Sequence, residues 1–211
     1  MPKATRTSQE VDVVRDKILN CAIDILAKRG YESLSMSKIG HKMKMTAANL
    51  YNYYGSKDEL LIAMHKKGFG MLYDKLLNAV NSATTPVDRF KKLTNAFVEF
   101  GISNIYLYDI MFNRPIRQYT DYIGTPLEEM SSDEHGSSMR TFYLAVEIIR
   151  DYLKTRPELR AADPKELAIQ SISALHGIIS LYNSGSLATF ADDPENTMKT
   201  FVDNVIHSVI D

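Results

Sequence analysis

Between Thr46 and Lys57 the chain sets small and amide side chains beside hydroxyl and ammonium donors: Ala47, Ala48 and Asn49, then Tyr51, Tyr53 and Lys57. An asparagine can make a bidentate pair with the exposed edge of adenine, and an alanine methyl can pack on the thymine methyl. Tyrosine hydroxyls and a lysine ammonium can donate to phosphate oxygens, which fixes register on a duplex without reading its sequence. The same tyrosines can equally pack as rings, with Lys57 a solvated charge, and the short motif alone does not separate the two.

Such chemistry requires the small residues to lie on the outward first turn of a short helix. Thr46 has the hydroxyl to cap a helix through Ala47, Ala48, Asn49, Leu50 and Tyr51, and Gly55 ends it. Ser56 then caps the next helix, with Asp58 and Glu59 in its first turn, where the helix dipole favours negative charge. Upstream, Ser35 caps a helix that carries Met36, Ile39 and Met43 on one face. Two short helices joined by a tight turn make a helix-turn-helix, whose second helix sits in the major groove. Together with Ser35 and Ser37 at the start of the first helix and Asn52 at the end of the second, the residues above form the candidate duplex-contacting set.

The stretch Leu34 to Leu60 resembles the DNA-binding domain of the TetR family of bacterial transcriptional regulators. Its run Leu50-Tyr51-x-Tyr53-Tyr54-x-Ser56-Lys57-Asp58-x-Leu60 follows that family's L-Y-x-H-F-x-S-K-E-x-L signature almost position by position. Ile39 and Thr46 fall where the family has its helix 2 Ile and helix 3 cap. The usual turn Ala-Gly is Met43-Lys44 here, so Lys44 stands where Gly would adopt the backbone conformation at lower cost. Tyr53 replaces a frequent His and keeps a polar tip, while Tyr54 replaces Phe as a core ring. The fragment Leu175-His176-Gly177, with Tyr108 to Phe112 upstream, resembles the family's WHG class of ligand domains without its Trp, near whose place Ile172 stands.

The resemblance implies an all-α fold of about nine helices. Residues 1–57 would hold an arm and a three-helix DNA-binding domain, and residues 58–211 a helical ligand-binding and dimerisation domain. It also implies a repressor, released from a pseudo-palindromic double-stranded operator by a small-molecule effector and dimerising through its last two helices. Neither a cofactor nor a metal is expected. A DNA-binding regulator or nucleoid-associated protein governed by a protein partner is the alternative.

Composition agrees with a two-part chain. Residues 1–57 hold ten Lys/Arg against five Asp/Glu, a net +5, and the remainder fifteen against twenty-one, a net −6. A basic head on an acidic body suits a phosphate-binding module joined to one that does not touch nucleic acid. No run approaches a membrane span, the sequence MPKATRTSQE has no apolar signal region, and Cys21 is the single cysteine, so a cytoplasmic location is expected. Enzyme chemistry lacks support: the five histidines show no metal-binding spacing, and no phosphate-cradling glycine loop or nucleophile motif occurs.

Helical periodicity extends through the chain. Residues 1–9 read as a polar arm with Lys3 and Arg6, and a helix from about Glu10 to Arg29 stops at Gly30. A helix from Lys57 to about Ala79 links the two domains and holds Gly68 and Gly70 in mid-course, either for close packing or as a soft point. Pro86 opens another to about Ser103, residues 113–137 with Pro115 read as a long irregular connection, and helices follow at about 138–155, 164–185 and 194–210. An apolar pocket is expected from Phe97, Phe100, Tyr106, Met111, Phe112, Phe142, Tyr143 and His176, although for His176 a satisfied core histidine is the stronger reading. The dimer interface is expected from the apolar positions Ile172, Leu175 and Ile179 with Met198, Phe201, Val202, Val205 and Val209.

Overall fold

Hydroxyl side chains start most of the helices. In the computed structural model, which describes residues 7–114, 117–159 and 161–210, Thr7 caps α1 (Ser8–Arg29) in a reciprocal pair with Glu10. Ser35 caps α2 (Met36–Met43), Thr46 caps α3 (Ala47–Tyr51) and Ser56 caps α4 (Lys57–Asn81), each accepting from the backbone N–H three residues on. Thr85 does the same for α5 (Pro86–Ser103), whose first residue is a proline that needs no partner for its missing N–H. The short α6 (Ile105–Tyr108) runs into a π-helical turn at Asp109–Asn113, then come α7 (Glu128–Leu153), α8 (Pro164–Asn183) and α9 (Pro194–Ile210). Among the described residues there are nine α-helices and no strand.

Two boundaries differ from the sequence reading. The first helix begins at Ser8 rather than Glu10, since Thr7 is its cap; Lys3, Arg6 and Pro115 lie outside the described residues. More substantially, α7 begins at Glu128, ten residues ahead of the expected Ser138, and runs straight through Gly136. Serines that read as loop instead bond back within the helix: Ser131 Oγ donates to the Glu128 carbonyl (2.9 Å) and Ser137 Oγ to that of Asp133 (3.0 Å), as Ser138 Oγ does to that of His135 (2.8 Å) at the expected helix start. Packing of this segment on α4, with Ser131 buried, outweighs its poor helix propensity.

The centre of the molecule is α4, which packs along both α5 and α7. Gly68 has a packing reason: a Cβ there would lie 2.6 Å from the Met111 sulfur and 3.3 Å from Leu107 Cδ1, so the π-helical turn can approach only because the methyl is missing. Gly70 faces open space. At the far end Tyr152 Oη donates to the Ile210 carbonyl (2.6 Å), tying the end of α9 to α7.

Candidate nucleic-acid interface and internal cavity

The helix-turn-helix is fixed to the body through Arg15 on α1. Its guanidinium donates to the Tyr53 carbonyl and to Glu59 Oε1 (2.8 Å), and lies 4.4 Å from the centre of the Tyr54 ring. Tyr54 Oη donates back to the Arg15 carbonyl (3.2 Å), and Glu59 Oε2 accepts from the Gly55 N–H (2.6 Å). One arginine thus holds the end of α3 and the start of α4 together. Between α2 and α3 the backbone reverses at Lys44, which adopts φ 55° and ψ 39°, while the Met45 N–H bonds to the Gly40 carbonyl (2.8 Å). The left-handed position that the Met43-Lys44 turn implied is therefore present, without a glycine.

This scaffold leaves Thr46, Ala47, Ala48, Asn49, Tyr51 and Asn52 exposed along α3 and its ends, with Ser37 exposed on α2 and Ser35 half-buried at its cap. The hydroxyls of Ser35 and Thr46 are engaged as caps. Lys57 is exposed at the first turn of α4, its ammonium 4.6 Å from the centre of the Tyr31 ring. Tyr53 departs from the expected role. It is only 7% exposed and belongs to the core, because its position on the exit of α3 turns the ring inward. Sequence reasoning passed over Lys38, His41 and Lys44, which stand exposed around the same turn, and neither lysine forms an ion pair among the described residues. Lys38, His41 and Lys42 also line a groove with Lys28 and Arg29 from the end of α1. Their signal was the cluster of cations around the turn.

The body encloses a cavity of about 310 Å³ between α4, α5, α7 and α8. Phe69, Leu72 and Leu76 of α4 form one wall, Phe90, Leu93 and Phe97 of α5 a second, Met139, Phe142, Ala145 and Ile149 of α7 a third, and Ala168, Ile172 and Leu175 of α8 a fourth. Phe112 projects from the π-helical turn and meets Phe69, Phe97 and Tyr108 edge-on or tilted, with ring centroids 4.6–6.0 Å apart. No charged side chain lines the cavity among the described residues, and its polar groups are Thr94, Ser138, Thr141 and Ser171. Ser138 and Thr141 spend their hydroxyls on backbone carbonyls within α7, which leaves Thr94 and Ser171 to meet an occupant.

Of the expected pocket residues, Phe97, Phe112 and Phe142 line this cavity. Tyr106 and Tyr143 do not: they are 41% and 47% exposed, because each lies on a face of its helix turned away from the cavity. Phe100 and Met111 are buried beside it as core, Met111 against Gly68. His176 stands behind Phe112, its Nδ1 3.0 Å from Tyr108 Oη. Burial lowers the imidazole pKa, and the ring shares a hydrogen bond with the Tyr108 hydroxyl, as a satisfied core histidine does.

The expected dimer contacts also need correction. Leu175, Ile179, Met198, Val202, Val205 and Val209 are buried inside the protomer, and Ile172 lines the cavity. Periodicity finds the most apolar stripe of a helix, and in α8 and α9 that stripe serves the protomer's own core. Phe201 alone of the set faces out, 38% exposed. The outward face of α8 carries Ile169, Ser173, Gly177 and Leu181, and nothing lies within 4 Å of where a Gly177 Cβ would be.

An all-helical body around an apolar cavity, joined to a basic helix-turn-helix, is the architecture of a DNA-binding regulator. The chain belongs to the TetR family: residues 18–64 match the family described as bacterial regulatory proteins, tetR family, and residues 90–205, more than half the chain, match the tetracyclin repressor-like C-terminal domain. It is 31% identical over 81 residues to the HTH-type transcriptional regulator BetI of Rhizobium meliloti, covering 38% of this chain and 40% of that protein. It is 25% identical over 123 residues to IcaR of Staphylococcus aureus strain Newman, negative regulator of the biofilm operon icaADBC, covering 58% of this chain and 60% of IcaR. The chain therefore spans less than two thirds of these relatives. Among solved structures, PfmR of Thermus thermophilus superposes with a TM-score of 0.64 at 18% identity over 91% of this chain and 98% of PfmR. AibR in complex with isovaleryl coenzyme A and operator DNA does so at 0.58 and 19%, over 91% and 95%. At these identities the likeness establishes the fold.

Proposed function

We propose that this chain is a transcriptional repressor that binds a pseudo-palindromic duplex operator as a homodimer and leaves it when a compact, largely apolar molecule fills the cavity. The observation that carries this reading is the double duty of α4, which bears Lys57 at one end and the cavity wall Phe69, Leu72 and Leu76 further along. An occupant that displaces this wall moves the head with it. Residues 1–57 act as the DNA-binding unit and 58–211 as the ligand and dimer unit. On the head, Ala47, Ala48 and Asn49 read bases, while Ser37, Tyr51, Asn52 and Lys57 hold phosphates. On the body, the outward faces of α8 and α9, with Ile169, Gly177, Leu181 and Phe201, meet their symmetry mates in a four-helix interface.

The ligand class follows from the lining. With no cation to pair it, a carboxylate inside would be strongly disfavoured, so the buried part is neutral and apolar with one or two hydrogen-bonding groups for Thr94 and Ser171. AibR, whose structure holds an acyl coenzyme A beside operator DNA, offers a precedent in the same fold. The test uses the duplex upstream of the protein's own coding region in a fluorescence-anisotropy titration, with neutral C6 to C12 alcohols as probes. A matching alcohol should raise the melting temperature and weaken duplex binding together, and Phe97→Trp, which fills the cavity, should abolish both responses. An alcohol that stabilises the wild-type protein with no effect on duplex affinity would sink the reading.

A further inference from the structure

Lys57 is exposed at the first turn of α4, and among the described residues its ammonium has neither an ion pair nor a hydrogen bond. What it meets is a ring: Nζ lies 4.6 Å from the centre of Tyr31. Tyr31 opens the short 3-10 turn Tyr31–Ser33 between α1 and α2 and is half-buried there, with no hydrogen bond from its hydroxyl among the described residues. A cation over a ring face is attracted by the ring quadrupole, yet it spends no N–H on an acceptor. An ammonium held in this way keeps all its donors for phosphate oxygens. A carboxylate in the place of the ring would hold the lysine and repel the phosphate.

The same ring carries a second cation, and this one comes from the body. The Arg114 guanidinium carbon lies 5.0 Å from the ring centre, with Nη1 3.4 Å from Oε1 of the neighbouring Glu32. Arg114 is itself well anchored. Its backbone N–H bonds to the Asp109 carbonyl (3.1 Å), five residues back, which closes the π-helical turn, and its Nε donates to the Asp109 carboxylate (2.8 Å). Main chain and side chain are thus tied to one residue, which fixes where the guanidinium points. Phe112 of the same turn lines the apolar cavity. Body and head therefore meet at Tyr31 through a contact that does not pass along α4.

We propose that Tyr31 is a positioning residue for Lys57, holding its ammonium ready for a phosphate of the duplex, and that Arg114 of the body holds Tyr31 in turn. The inference rests on the reading of Lys57 as a phosphate contact, and adds that its aim is set by the body as well as by its own helix. Two other roles for the ring predict different outcomes. As a filler it would serve the fold alone, with no dependence on Lys57. As a competitor it would keep the lysine from phosphate, and its loss would tighten binding.

The test is fluorescence anisotropy of the full-length protein on a random-sequence duplex over a range of salt, because a phosphate contact acts on every duplex alike. Tyr31→Leu should bind about two- to fivefold more weakly for each protomer on the duplex, with a salt slope flattened toward that of Lys57→Ala. Tyr31→Phe keeps the ring and should bind as the wild-type protein does. Arg114→Gln should weaken binding by about twofold. In a Lys57→Ala background neither Tyr31→Leu nor Arg114→Gln should have a further effect. Circular dichroism checks the fold, and should Tyr31→Leu lose helical signal, Arg114→Gln with and without Lys57→Ala reads the same path. An equal effect of Tyr31→Leu with and without Lys57 would mean a structural ring, and tighter binding a competing one. Unchanged binding by Arg114→Gln would mean a head that aims the lysine unaided. Each of these overturns the proposal. If Lys57→Ala itself left duplex affinity unaltered, the lysine's place in the proposed function would fall too, whereas an effect at Lys57 with none at Tyr31 removes this inference alone.

Discussion

Two glycines lie two residues apart on α4, and the structure gives them opposite expectations. Adding a methyl at Gly70 meets nothing within 4 Å, so Gly70→Ala collects the helix-propensity difference of about 1 kcal/mol without a steric cost. At Gly68 the same gain is opposed by a Cβ 2.6 Å from the Met111 sulfur and 3.2 Å from its Cγ. Those atoms are not the free end of the side chain, and Met111 is buried, so relief requires the π-helical turn to shift. Overpacking of that kind costs about 1–3 kcal/mol, which leaves Gly68→Ala between neutral and roughly 2 kcal/mol destabilised. For a chain of this length 1 kcal/mol moves the midpoint by about 2–4 °C. Thermal unfolding followed by circular dichroism, at one fixed protein concentration because the proposed dimerisation would contribute to stability, should show Gly70→Ala above wild type and Gly68→Ala level or below. In a Met111→Ala background Gly68→Ala should turn stabilising, with a coupling of at least about 1 kcal/mol between the two sites. If Gly68→Ala alone raised the midpoint as much as Gly70→Ala, the close approach of the π-helical turn to α4 would be wrong. Should Gly70→Ala stabilise and also blunt ligand-induced release of DNA, Gly70 is a soft point of α4 rather than an idle one.

Other expectations are as direct. Phe201→Asp should yield a folded monomer in sedimentation, whereas Val205→Asp, placed inside the protomer, should lose helical signal; two folded monomers would refute the assignment of faces on α9. Asn49→Ala should cost about 1–3 kcal/mol at one base position of the operator, while Lys57→Ala should weaken all duplexes alike and lower the salt slope by about one counterion; equal loss on specific and non-specific DNA by Asn49→Ala would remove it as a base reader. Between the ordinary carboxyl value of 4.5 and the native value of about 7, folded protein keeps a proton on Glu134 that the unfolded chain has lost, so this group's contribution to stability falls as pH rises. Glu134→Gln removes that slope, and its melting temperature relative to wild type should climb from pH 4.5 to 7, with a flat difference contradicting the buried carboxyl.

What was legible in the sequence is what local chemistry decides. Ser35, Thr46 and Ser56 cap their helices because a hydroxyl three residues ahead of an N–H needs no tertiary help, and the left-handed turn at Lys44 was expected from the resemblance, where Met43-Lys44 stands in place of the family's Ala-Gly. Misread features depended on packing. Ser131 and Ser137 have loop propensity, yet against α4 they satisfy their hydroxyls inside α7. Tyr143 adjoins Phe142 in sequence, but a step of one residue turns about 100° around the helix, enough to put one ring at the cavity and the other in solvent. The stripe Met198, Val202, Val205 and Val209 is apolar enough for either an interface or a core, and only the placement of α9 against α5 and α8 decides between them. The contact between Glu32 and Arg114 was invisible, since the two are 82 residues apart and neither belongs to a motif.

That α4 carries both the first-turn lysine and one wall of the cavity has a thermodynamic corollary. If a cavity guest lowers operator affinity by some factor, the operator must lower affinity for the guest by the same factor, because both paths end at the same ternary state. Each operator copy in a cell then makes the protein seated on it a poorer sensor than the protein free in solution. The free pool fills first, and occupied sites respond later, as exchange with that pool drains them. A guest's apparent potency would accordingly depend on how many operators the cell contains, and a duplex added to a binding assay would shift it. Single substitutions in the α4 wall, such as at Leu72, would change both equilibria at once.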